Sequence, residues 1–453
     1  MTLAREVRRL ALPAIAHSLL QTLVFVVDRI MLGRHGDTSL AAMQMGGAFE
    51  WSIWSVFSAF EVGTIARVGR HVGAEQPLRA RRAAWISLAM ALAFGSVLAI
   101  ATPIVLGLLP IAARNVSPAA LEEARRYLAV TVAASPVVFV SMTAIAALQA
   151  GGDTKTPLAI GIVSNVIHIG MNRLLILGIP GIVPALGARG AGISTALTFG
   201  LQAVLAVLAL TSRSRPVSLR RPLEVEDQDD EEANTPADEA RRLARIGIPA
   251  FFERVLYHVG YVGYVLMVVR LGDASMAANQ SLISVESICF LSADGFGIAA
   301  AALVAQKLGA KKPHEARKAA WIATRYAIVV LSAFGVGALL LRDSILPLFA
   351  KDANVLAIGR ASIPVLAAAQ PFMAIGIVLA QALRGAGRTR AALGVSVAGA
   401  VVVRLPMTWL FSATFGFGLV GIWLGSTVDW IVRSALLGTL HLRQRKEAAT
   451  IAE

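Results

Sequence analysis

The sequence is short of charge. Charged residues fill 15% of its 453 positions, against about 25% in soluble domains. Hydrophobic residues fill 56%, and mean hydropathy is +0.68. That balance excludes a water-soluble globular chain and leaves an integral membrane protein. Cysteine is almost absent: the single Cys289 excludes any disulfide within the chain. Catalytic signatures are missing too. There is no HExxH and no GxSxG, which excludes the common hydrolase centres. The glycine-rich stretches AGGDTKT and GAGRTR lack the spacing of a phosphate-binding GxxxxGK[ST] loop, so ATP is not the expected energy source. The first apolar stretch is too long for a cleavable signal and has no small-residue cleavage site after it, so it reads as a retained helix.

What is present is long apolar runs. Hydropathy predicts twelve spans, near 10–33, 46–69, 84–109, 127–149, 157–179, 190–211, 246–269, 277–306, 319–341, 360–383, 391–413 and 418–440. Lipid offers no partner to free backbone groups, so these runs read as helices. The alternation that a membrane barrel requires is absent. The net charge of +14 is confined to particular loops. Of 42 Lys and Arg, 26 lie in the termini and the even-numbered loops, and at most nine lie in the opposite set. The positive-inside rule then places both termini in the cytoplasm of a plasma (inner) membrane protein. It also turns basic clusters such as Arg79, Arg81 and Arg82 into topology signals rather than a nucleic-acid surface.

The first span, LALPAIAHSLLQTLVFVVDRIMLG, carries an acid. A charge near the centre of a membrane helix costs roughly 2.5–3.5 kcal/mol on insertion scales. His17, Gln21 and Asp28 fall on one helical face, as a wet cavity or a bundle interior would require. Asp28 is therefore the candidate ion-coupling residue. The competing reading is a structural acid paired with Arg29.

Other spans repeat the pattern of acid beside aromatic. Glu50, Trp54, Phe57 and Glu61 share a face, as do Glu253, Tyr257, Tyr261 and Tyr264. Glu286, Phe290 and Asp294 form a third such face. An acid among rings suits a lipophilic cation, through charge attraction and cation–π contact. Glu253, Tyr257, Tyr261, Glu286, Glu50, Trp54 and Glu61 are the substrate-binding candidates; ordinary helix packing is the rival reading. Asp429, with Arg433 four residues on, reads as a structural pair.

The chain also repeats itself. VGRHVGAEQPLRARRAAWIS at 68–87 matches VAQKLGAKKPHEARKAAWIA at 304–323. The same register pairs Pro13 with Pro249, Gly36 with Gly272, Gln44 with Gln280 and Glu50 with Glu286. Each repeat holds an even number of spans, so both cross the membrane in the same sense and relate by an axis along the membrane normal. The expected organisation is an N-terminal six-helix lobe at 1–211, a charged cytoplasmic linker at 212–240 and a C-terminal six-helix lobe at 241–453. A central cavity is expected between the repeats. The acids between Glu224 and Glu239, with no base among them, mark the linker as solvated.

These residues resemble the multidrug and toxic compound extrusion (MATE) family. The likeness rests on PAIAHSLLQTLVFVVDRIMLGRHG, the paired loops VGAEQPLRARRA and LGAKKPHEARKA, LQAGGDTKTP, IGIPAFFE, FGIAAAALVAQKLGA and LRGAGRT. It covers nearly the whole chain outside the linker. It implies an all-α, V-shaped membrane fold of twelve transmembrane helices in two pseudo-symmetric six-helix bundles. It also implies export of organic, often cationic, compounds against inward proton or sodium flow, without a cofactor.

Where the family often shows an Asn and then an Asp four residues on, this chain has His168 and Asn172. Asn165, His168 and Asn172 still share a face, and Thr195 stands where the family supplies a hydroxyl. Losing a carboxylate weakens a sodium cage, whereas gaining an imidazole adds a group that titrates near neutral pH. Met373 replaces an occasional family acid in span ten.

The ion-coupling set is thus Asp28, His168, Asn172, Asn165 and Thr195. The expected activity is a proton-coupled antiporter of organic cations that works by alternating access as a monomer in the lipid bilayer. Sodium coupling is the alternative, and a lipid-linked precursor flippase is a more distant one.

Overall fold

The computed structural model describes residues 2–112, 117–220 and 235–450. Most of the expected charged linker lies outside them. The secondary structure among the described residues is helical apart from a lone bridge between Ile179 and Val183.

The N-terminal half runs α1 (Leu3–His35), α2 (Asp37–Gly73), α3 (Pro77–Ile100), α4 (Thr102–Ala112), α5 (Pro118–Ala133), α6 (Ser135–Ala150), α7 (Lys155–Ile176) and α8 (Gly187–Leu210). The C-terminal half runs α9 (Pro236–Val269), α10 (Asp273–Gly309), α11 (Pro313–Leu340), α12 (Arg342–Ile345), α13 (Ala353–Gly385), α14 (Thr389–Val397), α15 (Arg404–Trp409) and α16 (Gly418–Thr450). Two π-helical segments, Ala398–Val403 and Leu410–Thr414, flank α15 and complete one span with α14.

Ten of these segments are long and apolar enough to cross a membrane, and α5 with α6 make an eleventh span bent by 55°. The twelfth is α2, whose 37 residues suffice in length but whose apolar stretch is diluted by Glu50 and Glu61. Large apolar side chains such as Val97, Ile100, Val166, Val204, Leu266 and Val329 are exposed on these helices. That pattern fits helices whose outer faces meet lipid.

The repeat is written into the backbone. Glu75 and Lys311 close α2 and α10 in the left-handed region, each followed by a proline-led helix. The same bonds tie both turns: Gln76 N to His71 O at 2.9 Å, and Lys312 N to Lys307 O at 2.8 Å. Gly152 and Gly387 likewise share a positive φ after α6 and α13, at 84° and 76°.

The chain divides into two compact units. The N-terminal unit spans Ala16–Gly247, and the C-terminal unit combines Met1–Ile15 with Ile248–Glu453. In the C-terminal unit, Val7, Leu10 and Ala11 of α1 join an alanine-rich core with Ala299, Ala300 and Leu303. Small residues let membrane helices approach closely. A Cβ at Gly295 would fall 2.6 Å from the Ile15 backbone. Lys307 holds this segment by an ion pair to Glu6 at 3.2 Å. In the N-terminal unit, the first turns of α9 pack on α2. Arg67 grips Glu239 through two bonds of 2.8 and 2.5 Å, and the Leu243 carbonyl sits against Gly63.

Candidate functional site

Asp28 is 3% exposed and turns away from Arg29, which is exposed. Its partners come from α7. His168 Nε2 lies 2.8 Å from Asp28 Oδ1, and the Asn172 amide donates to the same oxygen. On the other side of the imidazole, Nδ1 is 2.9 Å from the Thr198 hydroxyl of α8. That hydroxyl has one hydrogen and gives it to the Ser194 carbonyl at 2.7 Å. It must therefore accept from Nδ1–H. The Nε2 atom also lies 2.9 Å from the Asn172 amide nitrogen, so it accepts from that amide, accepts from the protonated acid, or itself carries a second hydrogen against the carboxylate. With a hydrogen on the acid or on Nε2, the Asp28–His168 pair holds one exchangeable proton and is neutral overall; with the amide bonded to Nε2 instead, it carries a net negative charge.

The remaining members of the expected set are close by but do different work. Asn165 Nδ2 donates to the Leu20 carbonyl of α1 at 3.2 Å, joining α7 to α1. Thr195 is buried beside Tyr127 of α5 and makes no hydrogen bond to Asp28 among the described residues. His17 is buried against Gly161, with its Nε2 unpartnered. Glu50 lies within electrostatic reach of Asp28, and its Oε2 accepts a hydrogen bond from the Tyr127 hydroxyl. Tyr127 fits because Gly46 leaves its ring room; a Cβ there would sit 3.0 Å from the ring.

Trp54 packs edge-on against Phe199, at 4.9 Å between centroids, inside an aromatic cluster. Glu61 is half-buried farther along α2. A cavity beside Phe57, Phe60 and Phe94 has a volume of about 10 Å³, room for one water and no organic cation.

The acids of the C-terminal unit are mostly spoken for. Glu253 is 4% exposed and held by Arg384 through Nη2 and Nε of one guanidinium edge, at 2.5 and 3.3 Å, and by the Ser396 hydroxyl at 2.5 Å. It is a closed ion pair rather than an open counter-charge. Asp294 accepts from Gln381 at 3.0 Å.

Asp429 is sealed and pairs with Arg433 at 2.6 and 2.9 Å, as its spacing predicts. It also faces Arg404 at 2.7 Å, an ion pair whose angle is too poor for a hydrogen bond. Both guanidiniums lie over Trp430. Gly399 makes the arrangement possible, since a Cβ there would collide with the Asp429 carboxylate and Arg433.

Glu286 differs. It is half-buried and makes no hydrogen bond or ion pair among the described residues, with Arg404, Tyr261 and Tyr264 as its electrostatic neighbours. Tyr261 is 37% exposed and stacks with Tyr264 at 6.0 Å; Tyr257 is half-buried on the same helix.

No group of three or more His, Cys, Asp or Glu among the described residues is placed to hold a metal ion. The MatE family model matches residues 13–174 and 249–410. The chain belongs to the MatE family.

Among similar proteins is a probable multidrug resistance protein NorM from Thermotoga maritima, 25% identical over 438 residues. The match covers 95% of this chain and 90% of that protein. Another of the same name, from Bradyrhizobium diazoefficiens, is 28% identical over 442 residues, covering 95% and 91%. Among solved structures, the outward-facing conformation of a multidrug resistance MATE family transporter of the MOP superfamily superposes with a TM-score of 0.86. It covers 99% of this chain and 97% of that one at 18% identity, a likeness of fold.

As a MatE protein the chain is a multi-pass membrane transporter and not an enzyme. Its twelve-helix fold is the one expected from hydropathy and repeat. Sequence reasoning missed Tyr127, Thr198 and Arg384. Thr198 follows Thr195 at i+3 and could have been found from that face. Arg384 lay in a motif read as a loop signal.

Proposed function

We propose that this MatE protein exports organic cations of the multidrug type in exchange for protons, with Asp28 and His168 as the coupling pair. The observation that carries the reading is the buried chain Asp28–His168–Thr198, which holds a transferable proton and has no guanidinium to pin it. With the proton gone, the pair carries a net negative charge in a nonpolar surround. That state is costly unless a cation compensates it. Proton and cationic substrate therefore compete for the same negative charge, which is what an antiporter requires.

A proton gradient supplies about 1.4 kcal/mol per pH unit and about 2.3 kcal/mol per 100 mV for each proton. The termini face the cytoplasm in this reading, as the Lys and Arg distribution implies. In the C-terminal unit Glu286, with Tyr257 and Tyr261, is the acid available to a substrate, because Glu253 is held by Arg384.

One observation favours sodium as a second reading: Asn172 Oδ1 is buried without a partner, and with Asp28 it offers two hard oxygen ligands. The imidazole nitrogen 2.8 Å from the Asp28 carboxylate makes this the weaker case.

The test is efflux of a cationic dye from proteoliposomes under an imposed proton or sodium gradient. Wild-type protein should respond to the proton gradient alone, and Asp28→Asn should abolish that response at unchanged reconstitution. Unchanged efflux in Asp28→Asn rejects the assignment; a response to sodium alone selects the second reading.

A further inference from the structure

We propose that Glu50 is a second proton carrier in the N-terminal unit, with Tyr127 as its hydrogen-bonding partner, so that each cycle moves two protons rather than one. This rests on the proton-coupled reading above and adds a site to it.

Glu50 is 2% exposed in the middle of α2. It has one donor, the Tyr127 hydroxyl on Oε2, and its Oε1 is buried with no partner. Its surroundings offer no counter-charge. From α1 it faces Asp28, itself an acid; from α5 it faces Tyr127 and Thr131. From α8, Thr195 lies beside Tyr127 and brings no charge. The other helices packed on α2 add nothing: α6 has no charged residue, the charges of α3 are confined to its first two turns, and the charged first turns of α9 meet α2 at Arg67, several turns beyond Glu50.

A buried carboxylate with a single donor and no cation costs several kcal/mol, and a neighbouring acid raises that cost. A proton removes it. The protonated Oε1 would also have somewhere to donate, because the Thr131 hydroxyl lies beside Glu50 and is buried without a partner. Asp28 has a base within 2.8 Å to share its proton with. Glu50 has none, so in this conformation it keeps its own. When a cation binds close to the two acids, the electrostatic cost of ionising each falls, and both protons leave. The exchange is then electroneutral for a dication and charge-moving for a monocation.

A simpler role would have the Tyr127–Glu50 bond only pin α5 to α2. The two roles separate in a proton count. Tetraphenylphosphonium is added to purified full-length protein in weakly buffered detergent solution at pH 7, and released protons are read with a pH indicator against bound probe. Wild type should release about two protons per bound cation, and Glu50→Gln about one. Tyr127→Phe keeps the carboxyl but removes the donor that supports its ionised form. Its count should fall toward one at pH 7 and return to two in alkaline solution, which covers the case in which Glu50→Gln does not fold.

An equal count in wild type and Glu50→Gln overturns the proposal and leaves Asp28 coupling intact. So does a Tyr127→Phe count that matches wild type at every pH. A wild-type count of zero overturns the proton-coupled reading itself.

Discussion

Glu75 and Lys311 adopt the same left-handed backbone, φ 58° in each, at the matching turn of the two repeats. Neither residue type favours that region; glycine does. The strain costs roughly 1–2 kcal/mol per residue, while glycine costs about 0.5–1 kcal/mol through the unfolded chain. Glu75→Gly and Lys311→Gly should each therefore be neutral or stabilising by up to about 1 kcal/mol, the balance of those two terms. Apparent melting temperatures in detergent check this. A drop in both would show that the exposed side chains contribute more than the backbone loses.

His168→Gln separates the imidazole's titration from its bonding. Glutamine can still donate to Asp28 but cannot take up a proton near neutral pH. Wild-type affinity for a cationic dye should weaken by up to about tenfold per pH unit of acidification for each linked proton, and so by up to about a hundredfold when two protons leave. The slope runs this way because protons and cation compete for the same negative charge. His168→Gln should lower that slope without abolishing it, as measured by fluorescence titration. An unaltered slope would assign the pH dependence to other groups.

Glu253 and Glu286 should part company on mutation. Glu253→Gln leaves the Arg384 guanidinium buried without its partner, a loss of about 3–5 kcal/mol, and should lower the yield of folded protein. The double variant with Arg384→Gln should recover part of it. Glu286→Gln breaks no bond among the described residues. It should leave thermal stability within about 0.5 kcal/mol and weaken binding of a cationic dye. The reverse pattern, with Glu253→Gln stable and defective in binding, would return the substrate role to Glu253.

Much of this was legible in the chain itself. Twelve helices follow from apolar runs, and the burial of Asp28 on a polar stripe follows from the spacing of His17, Gln21 and Asp28. Asp429 with Arg433 is local, four residues apart, so spacing alone finds it. The pairs that escaped are those with partners far along the chain. Arg384 reaches Glu253 across more than a hundred residues, and although Arg254 is adjacent in the sequence, nothing there announces that Arg384 is the partner. Tyr127 on Glu50 and Thr198 on His168 are likewise products of helix packing rather than of any motif. A polar face tells which way a side chain points, not whom it meets. That is why the acid–aromatic stripes named the residues of the C-terminal unit without telling a free acid from a neutralised one.

The first fifteen residues fold with the later half of the chain, and the first turns of α9 fold with the earlier half. Severing the polypeptide between Arg220 and Thr235 would thus leave two fragments, each missing a piece carried by the other. Neither is an autonomous module; they are obligate complements. If the protein descends from a duplicated ancestor, single-copy forebears that exchanged their leading segments, as swapped dimers do, would have had this interlock before fusion made it permanent.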